Sequence, residues 1–522
     1  MAKTTQYISI FPANGGLQSA NNPALIGVNN LSDMNNLIFT NDSSRKTRPG
    51  RKRFDLDGTI TEASNLKYVK DFWRYDSVSG SRSNKVIVVI NGKVFSDTNA
   101  NGSFQDITGP FIIPGTDNVT MDVFSNVLIM GFENVSPKYY NGSGNIQNLP
   151  GSPPNGSIYR TAAGYGWITG VQGLPDTVFR SGADDPFTWT GATAESILIN
   201  DGDGDPIGNT AIFPEFYGDV YVSKYRSIYR LRMTSTGVWG LSLFLKGVGC
   251  ISHNSIVPLQ NDIIFCSERG VHSLASTQNY GDAESKFLSA PIHDVYVNQL
   301  DFSRAKQMNA AYIPEFNSYM ITFPKRGSSI AKDVLGYNIL TGQWYQYKGV
   351  DAQFLTQYIN AKKKTQLMTG DSTGRISVFD NDQKNDYGSI PINSSFTTGI
   401  IYPLGPTGIA AFKSLTVVFK PQGSSTFSVT STIDGVDVDT LSFDQSGGSA
   451  DFLGSNWILS KAKLGRRGVV KTQVKPLSGQ GRGIQLRFDR NPSGSNINQG
   501  MEVLGYIIEY KDSGTSDEAS VQ

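Results

Sequence analysis

The sequence is poor in cysteine and has no excess of charge of either sign. Cys250 and Cys266 are the only cysteines in 522 residues, too few for the disulfide framework that stabilises small secreted domains. Their apolar surroundings, VGCISHN and DIIFCSERG, predict small buried side chains rather than redox groups. We therefore expect synthesis in the cytoplasm of the producing cell.

Lys plus Arg number 46 and Asp plus Glu number 45, which gives a formal net charge of +1. This balance excludes a function that depends on overall attraction to nucleic acid or to an anionic membrane. Apolar runs of about 18 residues, which a membrane-spanning helix needs, are also missing. The opening MAKTTQYISI has no basic stretch followed by an apolar one, so we expect a soluble protein without a secretion signal of its own.

Motifs for metal or nucleophilic chemistry are scarce as well. The three histidines, His253, His272 and His293, lie in segments that alternate like strands, and the sequence contains neither HExxH nor CxxC. We predict structural histidines, no cofactor and no catalytic residues.

What the sequence does contain is a strand-turn-strand phrase that returns in varied form. Each copy sets β-branched and aromatic residues on both sides of a Gly, Asn or Asp turn, as a tight antiparallel hairpin requires. Examples are VIVVINGKVFS (86–96), YVSKYRSIYRLR (221–232), DIIFCSERGVHSLA (262–275), LGYNILTGQWYQY (335–347) and GDSTGRISVFD (370–380). At roughly 40–50 residues per four-stranded blade, the repeats predict an irregular β-propeller of about six to eight blades.

The domain organisation follows from changes in this pattern. Residues 1–60 are predicted to form an extended N-terminal segment that joins the propeller, and residues 61–390 the propeller itself. Longer alternating strands over residues 395–512 predict a C-terminal β-sandwich, and residues 513–522 a flexible tail. The fold class is all-β.

Two acidic segments are candidates for chemistry. Asp201, Asp203 and Asp205 have the alternating spacing by which a tight loop presents oxygens to calcium, but the position of the bidentate Glu in such a loop holds Ile212, so we favour a polar turn. Asp184 and Asp185 precede aromatic residues, as in a sugar-cleaving site. A turn closed by packing of Trp189 is the interpretation we favour.

A basic patch is the third candidate site. If exposed, its six cations would contact phosphates or an acidic partner, although only Phe54 follows for base stacking. The alternative is that these charges keep an exposed strand edge from pairing with another chain. The residues are Arg45, Lys46, Arg48, Arg51, Lys52 and Arg53.

Several phrases, in this order, resemble those of a known family. They are NNPALIGVNNLSDMNNLIFTNDSSRKTRPGRKRF with Asn35, Asn36, Arg48, Pro49 and Gly50, then PDTVFRSGADDPFTW (175–189), GCISHNSIVPLQNDIIFCSERGVHSL (249–274) and residues 312–347. The family is that of the tail nozzle proteins of short-tailed bacteriophages, the tail tubular protein B type, with related phage tail β-propeller proteins.

The resemblance implies a structural virion protein without catalysis, made in the host cytoplasm and placed in the tail. Six copies would form the distal channel for genome ejection, below the portal-adaptor ring and beside other tail proteins or fibres. Viral DNA would pass through the lumen without sequence recognition, and the host cell surface is a further expected contact.

Two other functions stay open from the residues alone. A receptor- or glycan-binding tail propeller would present a concave aromatic face, for which Trp167, Trp189, Trp239 and Trp344 are available, although core packing is the use we favour. A polysaccharide-degrading enzyme would need a carboxylate pair in a cleft.

Overall fold

The computed structural model describes residues 4–40, 44–55, 60, 66–76, 79–97, 102–115, 118–200, 202–205, 207–235, 237–274, 287–328, 330–446 and 470–515. Strands dominate these residues, and the α-helix His293–Gln299 is only seven residues long. Short 3-10 turns lie at His253–Ser255, Ala290–Ile292, Phe302–Gln307, Pro314–Phe316 and Gly494–Asn496. The prediction of an all-β chain is confirmed. A helix with the length and apolarity to cross a bilayer is absent from the described residues.

The chain divides into two compact units. We call residues 53–335 and 349–378 the propeller unit, and residues 1–52, 336–348 and 379–522 the sandwich unit. Five strands come first in the chain: β1 (Thr5–Ile10), β2 (Leu31–Asn35), β3 (Leu37–Phe39), β4 (Arg45–Thr47) and β5 (Gly50–Arg53).

Seven small antiparallel sheets, the blades, then follow one another through the described chain. Blades 1 and 2 contain β6 (Leu66–Asp76), β7 (Ser81–Ile90), β8 (Lys93–Asp97), β9 (Phe104–Asp106), β10 (Val119–Phe124), β11 (Val127–Phe132), β12 (Lys138–Tyr140) and β13 (Gln147–Asn148). Blades 3 and 4 contain β14 (Gly156–Ala162), β15 (Tyr165–Val171), β16 (Thr177–Arg180), β17 (Glu195–Leu198), β18 (Ala211–Ile212), β19 (Asp219–Ser223), β20 (Ser227–Ser235) and β21 (Val238–Lys246).

The last three blades are less regular. Blade 5 has three strands, β22 (Val257–Pro258), β23 (Ile263–Cys266) and β24 (Val271–Ser273). Blade 6 has β25 (Asn309–Ile313), β26 (Ser318–Thr322), β27 (Val334–Asn338) and β28 (Gln343–Tyr347), and blade 7 has β29 (Phe354–Ile359), β30 (Thr365–Gly370) and β31 (Ile376–Asp380). The fourth strand of blade 7 is β5, and directly after it the Phe54 N–H donates to the Ile376 carbonyl at 2.9 Å.

Local sequence explains the blade hairpins. The turn between β7 and β8 is Asn91-Gly92, with φ angles of 49° and 76°, as the tight turn with two left-handed central residues requires. Strand β6 packs against both β10 and β29, so the first and last blades are neighbours and the ring is closed. This is the irregular β-propeller that the repeats predict.

Apolar cores fill the spaces between neighbouring blades. Between blades 3 and 4, Trp167 packs edge-to-face on Trp239, with ring centroids 5.1 Å apart. A comparable core joins blades 1 and 2 around Phe72 and Tyr140. Burial of such large aromatic groups contributes much of the stability of each junction.

The sandwich unit draws its strands from both ends of the chain. Its later strands are β32 (Asn385–Asp386), β33 (Ile390–Pro391), β34 (Ser394–Thr398), β35 (Gly408–Phe419), β36 (Thr426–Ile433), β37 (Val436–Asp444), β38 (Lys471–Pro476), β39 (Gln480–Gly481), β40 (Ile484–Arg490) and β41 (Glu502–Thr515). One sheet has the order β3-β4-β41-β35-β38, with β1 on β41 and β39 on β35, and the other has the order β2-β34-β40-β36-β37. The sheets meet where Phe419 packs on Phe427 at 5.2 Å and Phe488 on Tyr506 at 5.5 Å.

The domain boundaries differ from the predicted ones. Residues 1–52 group with the C-terminal strands, because β1 and β4 pair with β41 and β2 pairs with β34. Residues 336–348, which include β28 and part of β27 of blade 6, also group with the sandwich unit. Of the predicted tail, residues 513–515 belong to β41, and residues 516–522 lie outside the described residues.

Candidate functional site

The inner edge of the propeller carries a hydrogen bond at every blade junction. In each case a side chain of one inner segment bonds to the backbone of a neighbouring blade. In ring order the pairs are Tyr68 Oη to Met121 O (3.3 Å), Thr120 Oγ1 to Ser157 O (3.0 Å), Arg160 Nε to Ile212 O (3.4 Å), Ile212 N to His253 Nδ1 (3.3 Å), Ser252 Oγ to Met308 O (2.8 Å), Leu355 N to Asn309 Oδ1, and Ile359 N to Asp71 Oδ2 (2.9 Å), the donor first. We call this ring of contacts the inter-blade belt.

Charged groups of the belt border a cavity of about 540 Å³ at one end of the ring axis. Asp122 lies 3.9 Å from Lys70 Nζ and 4.0 Å from Arg160 Nη1, so cations of blades 1 and 3 flank a carboxylate of blade 2. Burial raises the pKa of Asp71, although the Ile359 N–H and two side-chain donors favour its charged form. Sequence reasoning missed these residues, because nothing local marks a strand residue as facing the axis.

A second cavity of about 500 Å³ lies beside the first. Asn254 lines both cavities, and its amide donates to the Val119 carbonyl at 3.3 Å. The 3-10 turn His253–Ser255 stands where the inner strand of blade 5 would otherwise run. We infer that the propeller axis is not an open pore in the single chain.

Two of the three histidines are buried. His253 is 8% exposed, and burial followed by the charge of Arg160 holds its pKa well below the ordinary value. His272 bonds to the Ser267 hydroxyl at 2.9 Å, and burial lowers its pKa to about 4. Both imidazoles are therefore neutral in the folded protein, whereas His293 is exposed.

These lowered pKa values predict how stability depends on pH. An unfolded histidine binds a proton below its ordinary pKa of 6.5, whereas folded His253 and His272 stay neutral there because their pKa values are lowered. The free energy of unfolding therefore falls as pH drops from 6.5 toward 4. Replacing either residue by Gln should reduce this slope by up to about 1.4 kcal/mol per pH unit. Urea denaturation at a series of pH values measures it.

The matched control is His293→Gln, which makes the same substitution at an exposed position. Equal slopes in the wild type and all three variants would show that neither buried histidine resists protonation.

Cys250, in the segment between blades 4 and 5, and Cys266, at the end of β23, are both fully buried. Burial raises the pKa of Cys250 to about 12 and that of Cys266 to about 11. The thiols are held in their unreactive protonated form.

The calcium candidates are engaged by protein groups where they are described. Asp201 lies outside the described residues. Asp203 accepts from the Tyr229 hydroxyl at 2.6 Å and pairs with Lys224 Nζ at 3.2 Å, while Asp205 accepts from the Arg226 N–H at 2.7 Å. Among the described residues, no group of three or more His, Cys, Asp or Glu side chains could hold a metal ion.

The basic patch is largely internal. Arg45, Arg48 and Arg51 are 0%, 3% and 6% exposed, which removes them from contact with a phosphate or an outside partner. Lys52 and Arg53 are exposed, with Arg53 bonded to Asp55 at 3.0 Å, and Lys46 lies 4.0 Å from Glu502. The expected phosphate or partner contact by all six residues is therefore corrected for Arg45, Arg48 and Arg51, which are buried.

The acidic partner of this patch belongs to the same chain. Arg48 and Arg51 both pair with Asp386, at 2.8 and 3.1 Å. Arg45 Nη2 donates to the carbonyls of Gly15 and Asn29, and burial lowers the pKa of this guanidinium to about 10.

The other sequence candidates lie in turns and cores. The Asp185 carboxylate accepts from the Phe187 N–H and from the Thr188 hydroxyl, closing a turn. Within the same turn, the Trp189 indole donates to the Pro186 carbonyl. The four candidate glycan-binding tryptophans are buried, so they form no concave exposed face: Trp167, Trp189, Trp239 and Trp344.

One short motif escaped the sequence reasoning. Residues 370–374, GDSTG, match the spacing of a hydrolase nucleophile elbow, which places its serine between a strand and a helix. Here Ser372 lies in the turn between β30 and β31, and its hydroxyl donates to Asp351 at 2.6 Å. Because the context is a strand-to-strand turn, the motif does not form that elbow.

Comparison with known proteins yields structures but no family. No protein-family model and no curated protein matches the chain. YCF48 bound to D1 peptide is 10% identical, with 64% of this chain and 97% of that chain covered and a TM-score of 0.39. BamB from Moraxella catarrhalis is 12% identical, with 72% and 99% covered and a TM-score of 0.35.

A glycosidase is also among the similar structures. The exo-beta-1,3-galactanase from Phanerochaete chrysosporium with galactose is 11% identical, with 89% of this chain and 100% of that chain covered and a TM-score of 0.25. Similarities this distant carry no argument about function. The β-propeller assignment rests on the topology described above.

Proposed function

We propose that this chain is a structural protein of a short bacteriophage tail, a nozzle or tube subunit of the distal channel for genome ejection. It would act as a homohexamer in contact with the portal-adaptor ring and other tail proteins or fibres. DNA would pass through the lumen between subunits, without sequence recognition. No catalytic step belongs to this function.

The observation that carries the proposal is the inter-blade belt. All seven blade junctions have a cross-blade hydrogen bond, and apolar cores support the ring. Opening one junction would break its bond and expose its core, so the ring resists deformation as a unit. A stiff closed body suits a wall that keeps its shape while a genome moves past it.

The sequence resemblance is the reason for proposing a phage tail in particular. The family-like phrase 175–189 contains β16 and the following turn, phrase 249–274 contains blade 5, and phrase 312–347 contains most of blade 6. Phrase 249–274 therefore covers a complete blade, whereas the other two phrases cover parts of blades 3 and 6.

The test is gold labelling of intact particles with an antibody raised against this protein, viewed by electron microscopy. We expect label confined to the distal end of a short tail. Label on peripheral fibres would instead favour a receptor- or glycan-binding tail propeller, and particles without label would refute a virion role.

A further inference from the structure

Among the described residues of the propeller, the hairpin formed by β6 and β7 is the longest inner hairpin. Its paired residues run from Leu66–Ile90 to Asp76–Ser81, whereas β10 and β11 end their pairing at Phe124–Val127. The Tyr75 N–H donates to Asn126 Oδ1 in the turn between β10 and β11 at 3.2 Å, so Tyr75 lies beside the tip of that neighbouring hairpin.

One face of this hairpin looks toward the β29–β30 turn of blade 7. Trp73 and Asn84 are cross-strand partners, and the Asn84 amide donates to the Ile359 carbonyl at 3.3 Å. The Trp73 indole is fixed by donation to Asp71 at 3.0 Å. Lys363 Nζ lies 4.7 Å from the centroid of the same indole ring.

The next cross-strand pair on this face is Tyr75 with Arg82. Side chains two residues apart on a strand point to the same side, about 6.7 Å apart. Tyr75 is 45% exposed, and Arg82 is exposed as well. Two aromatic rings with adjacent cations therefore follow one another along this face of the hairpin. We call this face, together with the β29–β30 turn beside it, the groove.

The turn of blade 7 adds to the positive charge. Lys362 and Lys363 are both exposed, and the Asn360 side chain holds the turn by accepting from the Lys362 N–H at 2.9 Å. Lys363 has a φ of 58°, a conformation that favours Gly or Asn over Lys. Its side chain is thus presented over Trp73 despite an unfavourable backbone.

We propose that this groove binds a single-stranded nucleic-acid segment. Arg82, Lys362 and Lys363 contact phosphates, and Tyr75 stacks on a base. The inference goes beyond the proposed function and does not rest on the place of the chain in a particle.

Alternation of rings and cations is what favours this ligand. Single-strand binding surfaces combine a cationic groove with aromatic side chains on which bases stack. The step from the Trp73 pair to the Tyr75 pair is comparable to the distance between successive phosphates in an extended strand. A duplex keeps its bases stacked internally and cannot place one on Tyr75, and a polyanion without aromatic groups has no base to stack there.

The experiment is fluorescence anisotropy of a labelled 20-mer of deoxythymidine titrated with the full chain at several salt concentrations. The groove variant is Arg82→Ala/Lys362→Ala/Lys363→Gly, in which Gly suits the left-handed backbone at residue 363. We expect at least tenfold weaker binding and a log-log salt slope shallower by about 2, since each phosphate contact contributes about 0.7.

The control variant Lys246→Ala/Arg269→Ala/Lys332→Ala removes the same charge from exposed positions of the propeller unit and should bind like the wild type. Tyr75→Ala should weaken binding roughly tenfold, with Tyr75→Phe close to the wild type.

Three results would overturn the inference. They are no binding by the wild type at low salt, equal loss in the groove and control variants, and Tyr75→Ala binding like the wild type while dextran sulfate competes fully. The last result would assign the groove to polyanions in general.

Discussion

Replacing Asp386 by Asn is expected to lower the free energy of unfolding by about 3 kcal/mol, because it leaves two buried guanidinium groups without a counter-charge. Asp386 is 4% exposed and accepts from both Arg48 and Arg51. Burial alone would raise the pKa of Asp386, but the two arginines outweigh burial and hold it below its ordinary value. Urea denaturation followed by circular dichroism measures the change.

A surface pair of the same unit provides the control. Asp33 pairs with Lys348, and their side chains are 49% and 41% exposed. Asp33→Asn should therefore cost less than about 1 kcal/mol. If the two substitutions had equal effects, Asp386 would not be the counter-charge of the buried arginines.

Replacing Lys224 by Met is expected to lower the free energy of unfolding by about 3 kcal/mol as well. The Lys224 side chain is 1% exposed, and its ammonium lies 2.7 Å from Asp176 and 3.2 Å from Asp203. Met keeps the length of the chain but leaves two carboxylates close to one another. Tryptophan fluorescence during urea denaturation is a suitable measurement, because four of the six tryptophans belong to the propeller unit.

The pH dependence of this effect has a defined sign. Burial raises the pKa of Asp203, but its hydrogen bonds, including those from Tyr229 and Lys224, lower it overall. The stabilisation is therefore present above an ordinary Asp pKa of 3.8 and is lost at lower pH, so the difference between the wild type and Lys224→Met should shrink below about pH 4. The exposed pair of Lys306 and Glu133 supplies a control, since Lys306→Met should cost less than about 1 kcal/mol at any pH.

The blades could be predicted because their signals are local. The turn Asn91-Gly92 and the alternating residues on both sides of it fix a hairpin within a dozen residues. The repeated, unevenly spaced hairpins then predict an irregular propeller. Blade 5 is the exception, since the turn His253–Ser255 replaces most of its inner strand and only the ring around it explains why.

The sandwich boundaries and the basic segment could not be predicted, because their partners are distant in sequence. Arg48 and Asp386 are 338 residues apart, and strand β2 pairs with β34 across a similar separation. Read in the sequence without the distant Asp386 that neutralises it, the run of cations resembles an exposed patch. The sequence gives a weak local indication of the groove at Trp73 and Tyr75, since aromatic and basic residues alternate in KDFWRYD. The position of Lys363 over Trp73 could not be predicted, because it depends on closure of the ring between blades 7 and 1.

The origin of the sandwich strands also constrains how the chain is made. Strand β4 leaves the ribosome about 450 residues before its partner β41, and at about 5–20 residues per second this delay lasts roughly 20–90 s. Throughout that interval β1 has no partner strand, while the blades have time to form in order. Completion of the sandwich therefore waits for the synthesis of β41, and a ribosome that stalls between β40 and β41 would hold a folded propeller while β1 and β4 still lack β41 as a partner.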